Sequence, residues 1–343
     1  MEFSIILFKI IFISAVFCIT LLIAMYATLA ERKISAFLQD RVGPNRAGPG
    51  GILQPLADGI KFFFKEDIIP LRANQFLFIL GPCLALLTAG MTSAVIPWGD
   101  KFIINGKEFL LHAADINIGV LYLFAVVSIG VYGVMIGGWA SNNKYSLLGA
   151  IRASSQMISY ELAMGLSLIA LLMMAGTLNV REIVTQQAGF DWYIWYQPLG
   201  FLIFLICAFA ETNRAPFDLP ECETELIGGY HTEYSSMKLG FYLFAEYINM
   251  FISCTIIATL YFGGFNFPFM HALNLPVNTI TLIGIAALFI KIFFFMFLFI
   301  WVRWTLPRFR YDQLMKLGWQ ILIPLSIFNI LLTGAVMALK EIF

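Results

Sequence analysis

The sequence predicts an all-α integral membrane protein with about eight transmembrane helices plus one amphipathic helix in the membrane interface. Three observations lead there. Of 343 residues, 60% are hydrophobic and 12% charged, well above the roughly 45–50% apolar share of soluble domains. The apolar residues gather in runs near the ~20 residues that a helix needs to cross the bilayer. The 21 basic and 21 acidic residues cancel and lie mostly in the connections between runs. A soluble globule is excluded, and so is a basic face for nucleic acid. Three scattered histidines are too few for a multi-histidine metal site.

Taken in order, the spans are expected at 4–30, 75–97, 117–140, 153–176, 196–211, 238–263, 278–302 and 318–339. The first lacks a basic leader, and its run from Ile5 to Ala30 exceeds a signal-peptide core, so it reads as a retained span. The loops after spans one, three, five and seven hold about 15 Lys and Arg; those after two, four and six hold only Lys101, Lys107 and Arg181. The positive-inside rule then places the basic loops in the cytoplasm or matrix and both termini outside. Residues 1–343 form a single polytopic membrane domain, with any chemistry on loops and helix faces. Cys18, Cys83, Cys207, Cys222 and Cys254 lack the spacing of a zinc or iron–sulfur site. Neither nucleotide-binding glycine motif is present.

Three connections carry most of the chemistry. In loop 31–73, Arg41 to Gly51 has two Pro and four Gly and is predicted to be irregular. Beyond it, Ile52, Leu53, Leu56, Ile60, Phe63 and Phe64 recur at helical spacing opposite Gln54, Asp58, Lys61 and Lys65. That pattern fits a helix lying in the membrane interface or one packed on protein. Loop 211–237 and its flank are acidic: Glu211, Asp218, Glu221, Glu223, Glu225, Glu233 and Glu246 are seven of the 21 acids in a tenth of the chain. Pro216 and Pro220 prevent a simple helix extension there. A solvated charge run is the plain reading, but Phe217, Leu219, Leu226 and Ile227 suggest a loop folded back onto protein. In loop 303–317, Arg303, Arg308 and Arg310 stand beside Asp312 among Trp and Tyr rings, able to bind carboxylates by paired hydrogen bonds.

Charges inside spans are costly, about 2.5–3.5 kcal/mol each at the bilayer centre on insertion scales. Glu161 in span four and Glu246, beside Tyr247, in span six are expected at matching depth. They read either as proton-handling groups facing a common interior or as hydrogen-bonded helix contacts. Lys291 in span seven is expected to snorkel or to be paired.

Three long segments resemble one family. Glu31 to Glu66, the loop RAPFDLPECETEL with GYHTEY after it, and PRFRYDQLM from Pro307 to Met315 closely resemble the membrane subunit called H or 1 of proton-translocating NADH:quinone oxidoreductase, respiratory complex I. His231 departs from the family pattern, which leaves that turn's conformation and role open.

The resemblance implies a subunit at the heel of the membrane arm that forms part of the quinone chamber and couples quinone reduction to proton translocation. Quinone is then the substrate. FMN, NADH and iron–sulfur clusters belong to partner subunits, and none is bound by this chain alone. Partners are the peripheral-arm subunits at the quinone site and the small and antiporter-like membrane-arm subunits. By the same resemblance, Arg32, Arg41, Arg46, Ile52, Ile60 and Phe63 frame the chamber and its entrance. Glu31, Glu161, Glu211, Asp218, Glu221, Glu223, Glu225, Glu233, Glu246 and Tyr247 carry the coupling, supported by Arg303, Arg308, Arg310 and Asp312. The expected location is the bacterial inner membrane, or alternatively the mitochondrial one. Two rivals stand beside this reading: the equivalent subunit of a ferredoxin- or other-donor dehydrogenase or membrane-bound hydrogenase, and a stand-alone ion transporter.

Overall fold

Within hydrocarbon each backbone N–H and C=O must find its partner inside the segment, so apolar runs fold as helices. The computed structural model describes residues 2–104, 106–218, 227–270 and 275–342. Its helices are α1 (Glu2–Leu38), α2 (Gln54–Phe64), α3 (Gln75–Thr92), α4 (Gly119–Ala140), α5 (Lys144–Ala175), the short α6 (Val180–Gln186) and α7 (Tyr193–Tyr196), α8 (Pro198–Glu211), α9 (Ser236–Tyr261), α10 (Val277–Thr305), α11 (Tyr311–Lys316) and α12 (Ile323–Ile342). A π-helical turn, Leu317–Leu322, fuses the last two into one rod. Among the described residues, seven helices are long and apolar enough to cross a membrane.

The predicted fifth span is the exception. With 14 residues, α8 covers only ~21 Å at 1.5 Å per residue, short of a ~30 Å hydrocarbon core. Two other helices run past their expected ends. Helix α1 continues to Leu38, so Glu31 and Arg32 sit on a helix, not in a loop. It stays helical because its polar extension buries Glu31, Ser35 and Ala36 on one side. Helix α5 starts at Lys144, capped by the Asn143 side chain accepting from the Tyr145 N–H, so Glu161 lies farther along it than expected.

A small antiparallel hairpin, β1 (Lys101–Ile104) and β2 (Lys107–Leu110), was not expected. Its signal was the Asn-Gly pair between two short apolar-rich runs. The Asn278 side chain both accepts from the Ile103 N–H and donates to the Ile103 carbonyl, each at 2.8 Å, pairing the edge of β1 as a neighbouring strand would.

Helices α5 and α9 organise the interior. Helix α5 packs on α4, α8 and α12, whereas α9 packs on α1, α3 and α10. Close approach depends on small residues: a Cβ on Gly137 would lie 1.9 Å from the Tyr242 hydroxyl, which donates to the Gly133 carbonyl at 3.0 Å. In lipid the helices have no water to exclude from one another, so packing and interhelical hydrogen bonds must join them. Gln197 supplies such bonds, donating to Thr333 at 2.7 Å and accepting from Asn329 at 3.0 Å.

Lys291 is paired, but with backbone. Its ammonium donates to the carbonyls of Phe262, Gly264 and Asn266 at 2.7, 2.8 and 2.6 Å and lies 5.0 Å from the Trp192 ring centroid. Gln187 joins the same knot, accepting from the Gly263 N–H and donating to carbonyls at the end of α9. Lys291→Met removes the common donor of three carbonyls. We expect a loss of about 1–3 kcal/mol, seen as a lower melting temperature of the assembled complex, with Lys291→Arg affected less.

On the hairpin side, burial holds the His112 imidazole below its ordinary value of 6.5. Asp115 opposes this shift, and Arg181 and Lys9 add to it. The unfolded segment then takes up the proton more readily than the folded one. The resulting stability is full above pH ~6.5 and is lost as pH falls below it. Amide exchange in residues 98–120 is expected to accelerate between pH ~7 and ~5 beyond its intrinsic pH dependence. His112→Gln should abolish that excess.

Candidate functional site

A cavity of 630 Å³ opens between α1, α2 and α9, within the ~300–1,000 Å³ range of small-molecule sites. Helix α2 turns its polar face inward. Asp58 accepts from Arg32 at 2.7 Å and from Gln54 at 2.9 Å. Gly59 borders the cavity, and a Cβ added to it would meet no atom within 4 Å. Other apolar residues face the other way: Ile52 and Leu53, just before α2, and Leu56, Ile60, Phe63 and Phe64 on it are all exposed. This stripe does not pack on the chain itself, which favours the interfacial reading.

At the cavity wall lies a buried ion cluster. The Glu31 carboxylate, 6% exposed, accepts from the Tyr247 hydroxyl at 2.8 Å. It pairs with Arg303 at 2.6 Å and Arg214 at 3.6 Å. The Arg214 guanidinium also stacks 4.2 Å from the Tyr247 ring centroid. A carboxylate this buried is tolerated only when paired and hydrogen-bonded, and here α1, α9, α10 and the segment after α8 each supply one member.

A second polar group lies deeper. Glu211 and Glu246 line one cavity of 40 Å³ with Thr88, Asn213, Tyr230 and Asn249, space enough for water. The Tyr230 hydroxyl donates to Glu246 at 2.9 Å. Glu161 is hydrogen-bonded to Ser128 on α4, and it lies close enough to Glu211 for their charges to interact.

The two groups are joined by the start of the acidic loop. Gln156, fully buried on α5, donates to the Ala210 and Phe217 carbonyls, both at 2.8 Å. Asp218 accepts from Arg308 at 3.0 Å, and the Phe309 N–H donates to the Pro216 carbonyl at 3.1 Å. Loop 303–317 thus clasps the acidic loop, with the Phe217 and Phe309 rings 5.5 Å apart.

Comparison with known proteins matches this chain, over residues 10–334, to the family model described as NADH dehydrogenase. The chain belongs to the NADH dehydrogenase family. It is 65% identical to the NADH-quinone oxidoreductase H subunit of Flavobacterium johnsoniae, covering 100% of this chain and 98% of that one. It is 68% identical to the NADH-quinone oxidoreductase H 1 subunit of Cytophaga hutchinsonii, covering 95% and 96%. With NADH-quinone oxidoreductase subunit 8 of Rhodothermus marinus the identity is 50%, over 93% and 94%.

In this NADH dehydrogenase family member, the site residues named from sequence separate into distinct places. Arg32, Glu31 and Tyr247 border the large cavity. Ile60 and Phe63 lie on the outward face of α2, Ile52 is exposed just before it, and Arg41 and Arg46 lie on the exposed loop that precedes them. The cavity face of α2 is formed by Pro55, Asp58, Gly59 and Phe62 instead. Glu233 accepts from Asn143 at 2.6 Å. Arg310 and Asp312 form an exposed local pair, whereas Arg303 and Arg308 reach buried acids. Glu221, Glu223 and Glu225 lie outside the described residues.

Sequence reasoning passed over Gln156, Arg214, Tyr230 and Ser128. Gln156 was signalled by an amide inside an apolar run, and Arg214 by being the first residue of the acidic motif. Ser128 had no signal, since serine is common in membrane helices. Glu31→Gln leaves the buried Arg214 and half-buried Arg303 guanidinium groups without their carboxylate, which should cost about 3–5 kcal/mol. The expected readout is a reduced yield of assembled complex, partly restored by adding Arg303→Met in a double-mutant cycle.

Proposed function

We propose that this chain is the quinone-side membrane subunit of proton-translocating NADH:quinone oxidoreductase, and that the 630 Å³ cavity is its part of the quinone chamber. One observation carries the reading. Adjacent residues of α9 look into different sites: Tyr247 borders the large cavity and hydrogen-bonds Glu31, whereas Glu246 lines the inner cavity with Glu211. A single helix wall therefore separates the substrate space from the buried carboxylates.

In this reading quinone takes up two electrons and two protons to become quinol. The electrons come from an iron–sulfur cluster in a peripheral partner, and FMN and NADH are bound elsewhere in the complex. The change of charge in the chamber is felt first by Glu31 and its two guanidinium partners. Arg214 is tied to that cluster and stands three residues from Glu211, so a displacement there alters the field at Glu211, Glu161 and Glu246. Asp218, held by Arg308, and the acidic residues after it belong to the same relay. Proton movement continues through neighbouring membrane-arm subunits. The bacterial relatives support a bacterial inner membrane, and the basic loops support both termini on its outer side, with α8 as a short eighth crossing.

The test has two arms in the assembled complex. Glu161→Gln should leave NADH oxidation by a water-soluble artificial acceptor intact while lowering coupled quinone reduction at least several-fold. Full quinone reduction with full pumping would remove Glu161 from the relay. Gly59→Leu places bulk in the cavity without a close contact at its Cβ, and is expected to raise KM for quinone with the artificial-acceptor rate unchanged. An unaltered KM would place the quinone elsewhere.

A further inference from the structure

The opposite flank of α1 carries a second cavity. It measures 550 Å³ and runs between α1 and α10. Leu22, Tyr26, Ala30 and Ile34 line it at helical spacing on α1, and Phe293 and Phe297 line it on α10. Its span along α1, from Leu22 to Ile34, is ~18 Å at 1.5 Å per residue. That is close to one leaflet of a ~30 Å hydrocarbon core.

The end of the groove is also specific. Lys33 follows Ala30 by three residues and Tyr26 by seven, so it continues the same stripe of α1. Among the described residues it makes no ion pair. Trp301, 47% exposed, continues the α10 side by one turn from Phe297, with their ring centroids 6.1 Å apart. A lysine and an indole at the end of an apolar groove suit the headgroup level of a membrane. The Arg303–Glu31 pair joins α1 to α10 at this end, which fixes Lys33 on the basic side of the protein.

We propose that the α1–α10 groove is a binding site for one anionic phospholipid of the leaflet on that side, with an acyl chain against Tyr26, Ala30 and Phe297 and its phosphate at Lys33. The site is separate from the quinone chamber and stands or falls independently of it. Helix α1, only 11% buried over its membrane window, is then held between substrate on one flank and lipid on the other.

The test uses the intact complex in nanodiscs of phosphatidylethanolamine with or without phosphatidylglycerol. A photoreactive benzoylphenylalanine in place of Phe297, a half-exposed position, is expected to crosslink phospholipid, identified by mass spectrometry. Crosslinking to a polypeptide of another subunit, or failure to crosslink any lipid, overturns the proposal. After detergent exchange, Lys33→Glu should lower the phosphatidylglycerol retained per complex at least threefold, with retained phosphatidylethanolamine unchanged. Equal loss of both, or no loss, overturns the headgroup assignment. If Ala30→Trp assembles, it should reduce the lipid crosslink from position 297. The crosslinking and Lys33 results decide the matter if it does not.

Discussion

The Glu31 carboxylate is the constraint around which the rest of the structure is arranged. It draws together α1, the segment after α8, α9 and α10 through Arg214, Tyr247 and Arg303. Helix α1 has little buried surface of its own, so packing alone does not fix its position against α9. A buried charge fixes it differently, because any displacement of Glu31 from its donors exposes an unpaired ion to a poorly polarisable interior. The large cavity inherits its shape from this, since α1 and α9 are two of its walls and Arg32, the next residue on α1, holds Asp58 of the third.

The order of polarity is that of a protein whose solvent changes along its length. Within the bundle, amides and hydroxyls join many of the segments, as at Gln156, Gln197, Tyr230 and Tyr242. Helix α2 is close to the inverse of a surface helix in water: its carboxylate faces inward toward Arg32, and Phe63 and Phe64 face out. Such a face is stable only against lipid or a partner subunit. A cavity roofed by α2 thus has a mostly apolar lining broken by the charged groups at Glu31, Arg32 and Asp58, and the outer face of its roof is apolar as well.

Much of the fold was legible in the sequence because hydrocarbon leaves the backbone so few choices. The eight apolar runs became helices, and only their ends were misplaced. The ends at Leu38 and Lys144 were missed because a helix does not stop where hydrophobicity does. Glu31 to Leu38 stays helical by burying one side in protein, and the polar start of α5 by an asparagine cap. The hairpin escaped because its strands are four residues long. At the site, the cost of a charge inside a span marked Glu161 and Glu246, the family resemblance added Glu211, and the structure puts Glu211 and Glu246 on one cavity. Sequence pattern alone did not separate the two faces of α2, since amphipathic spacing reports that faces differ but not which one turns toward a cavity. It was equally silent on the junction of Gln156 with Phe217, 61 positions apart, whereas the arginine cluster was expected to hold carboxylates and Arg308 does so at Asp218, 90 positions away.

The Lys291 knot has an electrical consequence. A unit charge carried through a membrane potential exchanges about 2.3 kcal/mol per 100 mV, so any mobile cation inside this bundle would answer to the voltage that the complex itself builds. Three carbonyl dipoles hold the ammonium in place, and the carbonyls belong to a turn whose glycines Gly263 and Gly264, both at positive φ, fold it tightly. Held this way, Lys291 is a fixed part of the field that the buried carboxylates experience. The three carbonyls keep it in one place as the membrane charges and discharges.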